Sequence, residues 1–185
     1  KTIDGGTTWS ATGSMIGNPN SMNEIHIDTN NPDTLLVATN SGVHKTTDGG
    51  TTWSRKLVDN IIDLKVKPND FSIWYAVSSN TFYRSTDSGE NFSTTNLPGL
   101  IGSGRLTMDV TIADDNYVYV VSSKTGAGSF AFNGIYKSTD SGASFTKTSE
   151  ISDIFGTTQA WYDLALTVSS VDKNIIYVGV LDIWK

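Results

Sequence analysis

Two sets of carboxylates recur along this chain at spacings that could support chemistry. Asp4, Asp48, Asp87 and Asp140 are each followed two residues on by glycine (Gly6, Gly50, Gly89, Gly142) and five residues on by an aromatic (Trp9, Trp53, Phe92, Phe145). Glu24, Asp63, Asp109 and Asp163 each open a short alternating stretch. Two carboxylates about 5 to 9.5 Å apart across a sugar bond are what glycoside hydrolysis needs. On that basis Asp109 and Asp163 are the catalytic candidates, although nothing in their neighbourhoods singles them out. Carboxylate oxygens also suit a hard cation such as calcium or magnesium. Other chemistries lack their parts. There is no cysteine, and the only histidines are His26 and His44. No Gly-x-Ser-x-Gly elbow, phosphate loop or His-Glu-x-x-His helix is present.

Each set also has a structural reading. Asp-x-Gly between two strands makes a tight turn, in which the carboxylate accepts backbone N–H bonds and glycine supplies a positive φ. A calcium loop needs several further oxygens, so the first set reads as turn locks, with the aromatic packing back over its own sheet. The second set would ring the mouth of a central channel and hold a hard cation or a basic ligand. In the competing role each carboxylate hydrogen-bonds backbone N–H groups of its own or a neighbouring sheet, and repetition favours that role. No cofactor is otherwise implied.

The chain has 185 residues, enough for one sizeable core, and a net charge of −6. That balance argues against a nucleic-acid partner, which needs clustered Lys and Arg. No apolar run approaches the ~20 residues of a membrane-spanning helix, so no membrane insertion is expected. Any export signal is expected to lie outside this segment.

The elements that carry these residues repeat. KTIDGGTTW from Lys1, KTTDGGTTW from Lys45, RSTDSGENF from Arg84 and KSTDSGASF from Lys137 align without gaps, at spacings of 44, 39 and 53 residues. A period of ~40–50 residues without helical patterning indicates propeller blades. Within a period come strand A, a turn, strand B, a loop, strand C, the aspartate turn and strand D. The chain thus divides into a last strand (1–10), three whole blades (22–58, 61–95 and 104–149) and an incomplete blade (161–185). The fold class is all-β: a β-propeller of four-stranded antiparallel blades forming a partial ring of about four blade equivalents. A closed four-bladed ring, with the N-terminal strand completing the last blade, is the alternative.

The four segments resemble the Asp-box, or BNR repeat, and the wider pattern is similar to sortilin-type, xyloglucanase-like and sialidase-like propellers of secreted proteins. The third copy departs from the motif, with Asn91 where Ser or Thr is usual. The resemblance implies an extracellular or cell-surface location. It places the box at the C–D turn, away from the usual binding face. Recognition then falls to the B–C and D–A loops: 11–22, 96–104, 123–133 and 150–160. Arg105, Phe130, Phe132, Trp161 and Tyr162 lie in or near these loops and join Glu24, Asp63, Asp109 and Asp163 as binding candidates. Aromatic faces there would stack on sugars or fill gaps between blades. A sialidase would need three converging arginines, and of Arg55, Arg84 and Arg105 the second belongs to a box. The expected role is a binding or scaffold segment that recognises glycan or protein and is partnered by the remaining blades of a larger propeller. The alternative is part of a glycoside hydrolase, xyloglucanase-like, completed by blades outside this chain.

Overall fold

The computed structural model describes residues 1–126 and 130–185. Ala127, Gly128 and Ser129, part of the glycine-rich insertion expected between strands B and C of the third blade, lie outside the described residues. The described residues form fifteen strands and no helix. The first sheet is β1 (Met22–Ile27), β2 (Leu35–Thr39), β3 (Gly42–Thr46) and β4 (Ser54–Leu57). The second is β5 (Asp63–Lys67), β6 (Asp70–Val77), β7 (Phe82–Ser85) and β8 (Ser93–Thr95). The third is β9 (Ser103–Val110), β10 (Val118–Lys124), β11 (Phe132–Ser138) and β12 (Thr146–Lys147). The fourth has three strands, β13 (Ala165–Val168), β14 (Ile176–Gly179) and β15 (Ile183–Trp184). In every sheet the strands follow one another in chain order and pair antiparallel, giving four blades of a partial β-propeller.

The second strands of the first three sheets are apolar on both faces because each is covered on both sides, by a neighbouring sheet or by a connecting segment. Leu36, Val37 and Ala38 are all buried, as are Trp74 to Val77 and Val118 to Val121. Three cores follow, one per junction. Leu36, Ala38 and Val43 of the first sheet meet Leu64, Trp74 and Ala76 of the second. Tyr75, Val77 and Phe82 meet Met108, Val118 and Val120. Tyr119, Val121 and Ile135 meet Leu166, Ile176 and Val178.

The four aspartate turns share one hydrogen-bond scheme. A Ser or Thr two residues before the aspartate donates to its Oδ1 (Thr2, Thr46, Ser85 and Ser138, 2.7–2.8 Å) and accepts from the glycine N–H (2.9–3.0 Å). The residue four after the aspartate gives its N–H to Oδ1 at 2.9 Å and its side chain to Oδ2. Asn91 satisfies the scheme with its amide (Nδ2 to Asp87 Oδ2, 2.8 Å), so the departure in the third copy is chemically silent. These donors, led by the side chain four residues on, hold Asp4, Asp48 and Asp87 at a pKa of about 2. Burial opposes the charge on Asp140, but the same donors lower its pKa too.

The turns also tie the sheets together. Gly49, Ser88 and Ser141, each just after its aspartate, donate N–H at 2.8–2.9 Å to Asp33 and Asn116 of the A–B turns and to Ser72 in the first turn-proximal residues of β6, so both turns share one face. Their carbonyls accept from the basic residue that opens the preceding turn: Lys1 Nζ to Gly49 (3.2 Å), Lys45 Nζ to Ser88 (2.8 Å) and Arg84 Nε to Ser141 (2.7 Å). The turn aromatics differ from expectation. Phe92 and Phe145 pack on the preceding sheet, Phe92 in the Leu36–Val43 core and Phe145 edge-on to Phe82 at 4.7 Å. Trp9 is 74% exposed.

Residues 1–10 close on themselves through reciprocal Lys1 and Ser10 backbone bonds (2.5 and 2.9 Å). The segment then lies against the first sheet, with Gly13 N–H donating to Gly50 O (2.7 Å) and His44 Nε2 bonded to Ile16 O (2.9 Å). It does not complete the fourth sheet, so the closed four-bladed alternative is not what forms.

Two outcomes test this scheme. Gly142 has φ +74°, and a Cβ there would stand 3.0 Å from the Tyr75 ring and 3.3 Å from Phe82. Gly142→Ala should therefore cost about 2–3 kcal/mol in urea unfolding, combining left-handed strain with overpacking. Gly156→Ala (φ +59°, open space) should cost about 1 kcal/mol, from strain alone. The turn carboxylates titrate lower in the folded chain than their ordinary value of 3.8. Protons thus bind the unfolded chain preferentially, and the turns' contribution, intact above about pH 4, should be lost as pH falls through about 2. Urea midpoints across that window should drop, and Asp48→Asn should flatten the slope.

Candidate functional site

The first strands of the four sheets, β1, β5, β9 and β13, lie side by side and line a central groove. Leu35, Trp74 and Val118 each pair with the Ser or Thr of their own aspartate turn, which fixes a common frame. Through Ile27, Val66, Val110 and Val168, the partners of Leu35, Trp74, Val118 and Ile176, that frame makes Glu24, Asp63, Thr107 and Ala165 equivalent. Asp109 lies one pleat further along, and Asp163 precedes β13 altogether. The expected ring of four equivalent carboxylates is therefore corrected: two are equivalent, one is displaced along its strand, and the fourth is outside the strand.

Three of these carboxylates link neighbouring sheets. Leu64 N–H donates to Glu24 (3.4 Å), Met108 N–H to Asp63 (2.9 Å) and Val168 N–H to Asp109 (2.8 Å). In each case a carboxylate on one first strand caps an N–H on the next, one residue further on in the common frame. Asp109 makes this contact one pleat later, where Thr107 occupies the standard position and donates to Asp63 instead (2.9 Å). The links satisfy the inner strand edge, which would otherwise face the groove with unpaired N–H groups.

Lys65 sits between Glu24 (2.7 Å) and Asp63 (2.8 Å). Its ammonium fills the place where a cation shared by those two carboxylates would be held. Among the described residues no group of three or more acidic or histidine side chains converges as a metal site. Burial opposes the Glu24 charge, but interactions with His26, Asp63 and Lys65 hold its pKa well below the usual carboxylate range. Burial and the adjacent Glu24 push Asp63 up. For Lys65, burial works against the charge and the two carboxylates more than offset it, so its pKa is raised. His26 and Lys65 were not candidates from sequence. The signal was present: each stands two residues after its carboxylate, on the same strand face, in equivalent positions.

Two cavities meet at Arg105. One, of about 400 Å³, follows the groove past Glu24, Asp63, Lys65 and Asp109. The other, of about 600 Å³, opens between Ser21, Asn40, Asn60 and Trp161, on the B–C and D–A loop face. Arg105 Nη1 donates to Trp161 O (2.8 Å), and no carboxylate among the described residues lies within ion-pair distance of it. Burial lowers its pKa, with Asp63 and Asp163 working the other way. Of the aromatic candidates, Phe132 is buried edge-on against Phe155 (5.4 Å), and Phe130 packs on the same core. Trp161 and Tyr162 are 55% and 70% exposed, with ring centroids 5.5 Å apart. The structure thus gathers Glu24, Asp63, Asp109, Arg105 and Trp161 around adjoining cavities. It assigns the two phenylalanines to packing.

Removing an inter-sheet carboxylate should be felt throughout the fold. Asp63→Ala leaves the Met108 N–H buried without a partner and strips Lys65 of one counter-charge, and should cost about 2–4 kcal/mol. Asp63→Asn keeps an acceptor and should lose less. Urea denaturation of the two variants checks the order.

No protein-family model matches the chain. No curated protein matches it either. Among solved structures it is similar to an ancestral GH74 enzyme (TM-score 0.73, 18% identity, 94% of this chain and 23% of that one). It is also similar to the GH74 xyloglucanase from Xanthomonas campestris (TM-score 0.60, 15% identity, 83% and 26%). A third is the extracellular domain of a protein described as a hybrid two-component system from B. thetaiotaomicron (TM-score 0.56, 15% identity, 92% and 22%). The chain spans about a quarter of the length of each. At identities of 15–18% the likeness shows the fold alone, a β-propeller segment.

Proposed function

We propose that this chain is a binding segment of a secreted or cell-surface propeller, whose loop face recognises a glycan at the opening bounded by Trp161 and Arg105. The observation that carries the reading is the exposed Trp161–Tyr162 pair beside a cavity of about 600 Å³ that also receives Arg105, a cation with no ion-pair partner among the described residues. An indole face at the rim offers a platform for the C–H face of a sugar ring, while a guanidinium offers donors to hydroxyls. The four aspartate turns read as Asp-box repeats, and they lie with the A–B turns on the opposite face. That leaves the Trp161 face free for recognition. Similarity to an extracellular domain supports the location.

A protein ligand would engage the same face. A second reading makes the chain part of a glycoside hydrolase completed by further blades, and two GH74 structures among the neighbours favour it. Within this chain Asp109 is already committed to the Val168 N–H, which suits a structural group better than an acid or base.

A glycan array followed by calorimetry tests the binding reading. Trp161→Ala should weaken the selected glycan about tenfold or more, a loss of at least ~1.4 kcal/mol, without shifting the urea midpoint. An affinity unchanged by that variant would remove Trp161 from the site. Release of reducing sugar from polysaccharide, lost on Asp163→Asn, would replace binding by hydrolysis.

A further inference from the structure

Several lysines of this chain are drawn partly out of water, and each has a carboxylate beside it. Lys45 lies 2.6 Å from Glu90, Lys65 2.7 Å from Glu24 and Lys67 3.7 Å from Asp115. Arg105, half-buried on β9, differs. Its Nη1 donates to Trp161 O at 2.8 Å, and no carboxylate among the described residues lies within ion-pair distance. Its Nε is closed off from solvent and has no hydrogen-bond partner among the described residues. A guanidinium carries five N–H donors and keeps its charge, so it does not relieve burial by becoming neutral. The Trp161 carbonyl meets part of the need. A negative charge meets it better, because a desolvated cation is strongly destabilised without one.

The two cavities that meet at Arg105 differ in charge. The groove cavity of about 400 Å³ contains Glu24, Asp63 and Asp109, which are engaged by Lys65, the Met108 N–H and the Val168 N–H. The loop-face cavity of about 600 Å³ has no acidic residue in its wall, and the charge it contains is that of Arg105. Asp63 and Asp163 act on Arg105 only from beyond ion-pair distance. Two amides of the same wall are already committed. Asn40 Oδ1 accepts from the Asn20 and Ser21 N–H groups (3.1 and 3.2 Å), its Nδ2 donates to Asn20 Oδ1 (2.8 Å), and Asn23 Nδ2 donates to Ile61 O. The guanidinium keeps donors in reserve. Its bond to the Trp161 carbonyl holds the cation and the exposed indole together at one opening.

We propose that the glycan recognised at this opening is an acidic one, a saccharide whose uronic-acid carboxylate pairs with Arg105 while a ring of the same saccharide lies on Trp161. The inference rests on the glycan reading above and adds the charge class of the ligand. A carboxylate is planar and accepts two parallel N–H bonds, the arrangement that a guanidinium fork matches. A neutral sugar offers hydroxyls alone, which leave the half-buried charge without a counter-charge. The net charge of −6 does not oppose such a ligand, since the wall that faces it holds no carboxylate. Exposed charges further off are screened beyond about 8 Å at physiological salt.

Matched pairs of oligosaccharides test it, titrated by calorimetry against the 185-residue chain. The probes are oligomers of polygalacturonate, alginate and hyaluronan, with any acidic saccharide selected on the array, each beside its carboxyl-reduced form. An acid form should bind about tenfold or more tighter than its reduced partner. Arg105→Gln should abolish that ratio, and Arg105→Lys, which keeps the charge but not the fork, should restore part of it. Trp161→Ala should weaken both forms alike and leave the ratio unchanged. The ratio is the readout because Arg105→Gln also releases the Trp161 carbonyl, and a loosened loop would lower both affinities together. Equal binding of acid and reduced forms, or a preference that survives Arg105→Gln, overturns the charge assignment and leaves glycan recognition standing. Binding confined to neutral glycans does the same. Absence of binding to any glycan, acidic or neutral, overturns the glycan reading and this inference with it.

Discussion

A four-stranded sheet whose middle strand is apolar on both faces has to be covered twice, and that requirement organises this molecule. Leu36 and Val37, adjacent in one strand, point to opposite faces, and both are buried because a neighbour or a connecting segment lies on each side. The result is radial stacking, since each sheet supplies the cover for the next. Hydrophobic burial drives the stacking, but it is indifferent to small slides of one sheet over another. Register is imposed by polar links at both edges. On the outside of the first two junctions a Lys or Arg reaches the next aspartate turn. On the groove side a carboxylate caps an N–H of the next first strand.

The aspartate turns could be read from the sequence because everything they need is local. Asp48 finds its donors within four residues, at Thr46 and Thr52, so the motif carries its own explanation. The same locality accounts for Asn91, whose amide serves as well as a hydroxyl. Strand order and blade count followed from repetition. What the turn aromatics touch did not, because Phe145 reaches Phe82 on another sheet, more than sixty residues away in the chain. The groove carboxylates failed in a related way. Asp109 looks like the counterpart of Asp63 by its place in a short alternating run. Only the pairing of Val110 with Val118 shows that it stands one pleat later. A shift of two residues keeps a side chain on the same face, so hydrophobic alternation cannot detect it.

The register shift changes what the groove can do. With carboxylates at four equivalent positions the groove would be an acidic ring seeking a cation. With Thr107 and Ala165 in two of those positions, and Lys65 supplied by the second sheet, Glu24 and Asp63 are neutralised from within. Asp109 is held by a backbone donor. The charges of the groove are therefore largely spent on joining sheets. Arg105 is different: it stands at the rim, its guanidinium donates to a carbonyl, and two cavities meet at its side chain. The same Trp161 whose carbonyl fixes Arg105 presents its ring to solvent. A rigid groove that consumes its own carboxylates while leaving a cation and an aromatic at the opening moves recognition from the axis to the loops, where the scaffold can vary without loosening the stack.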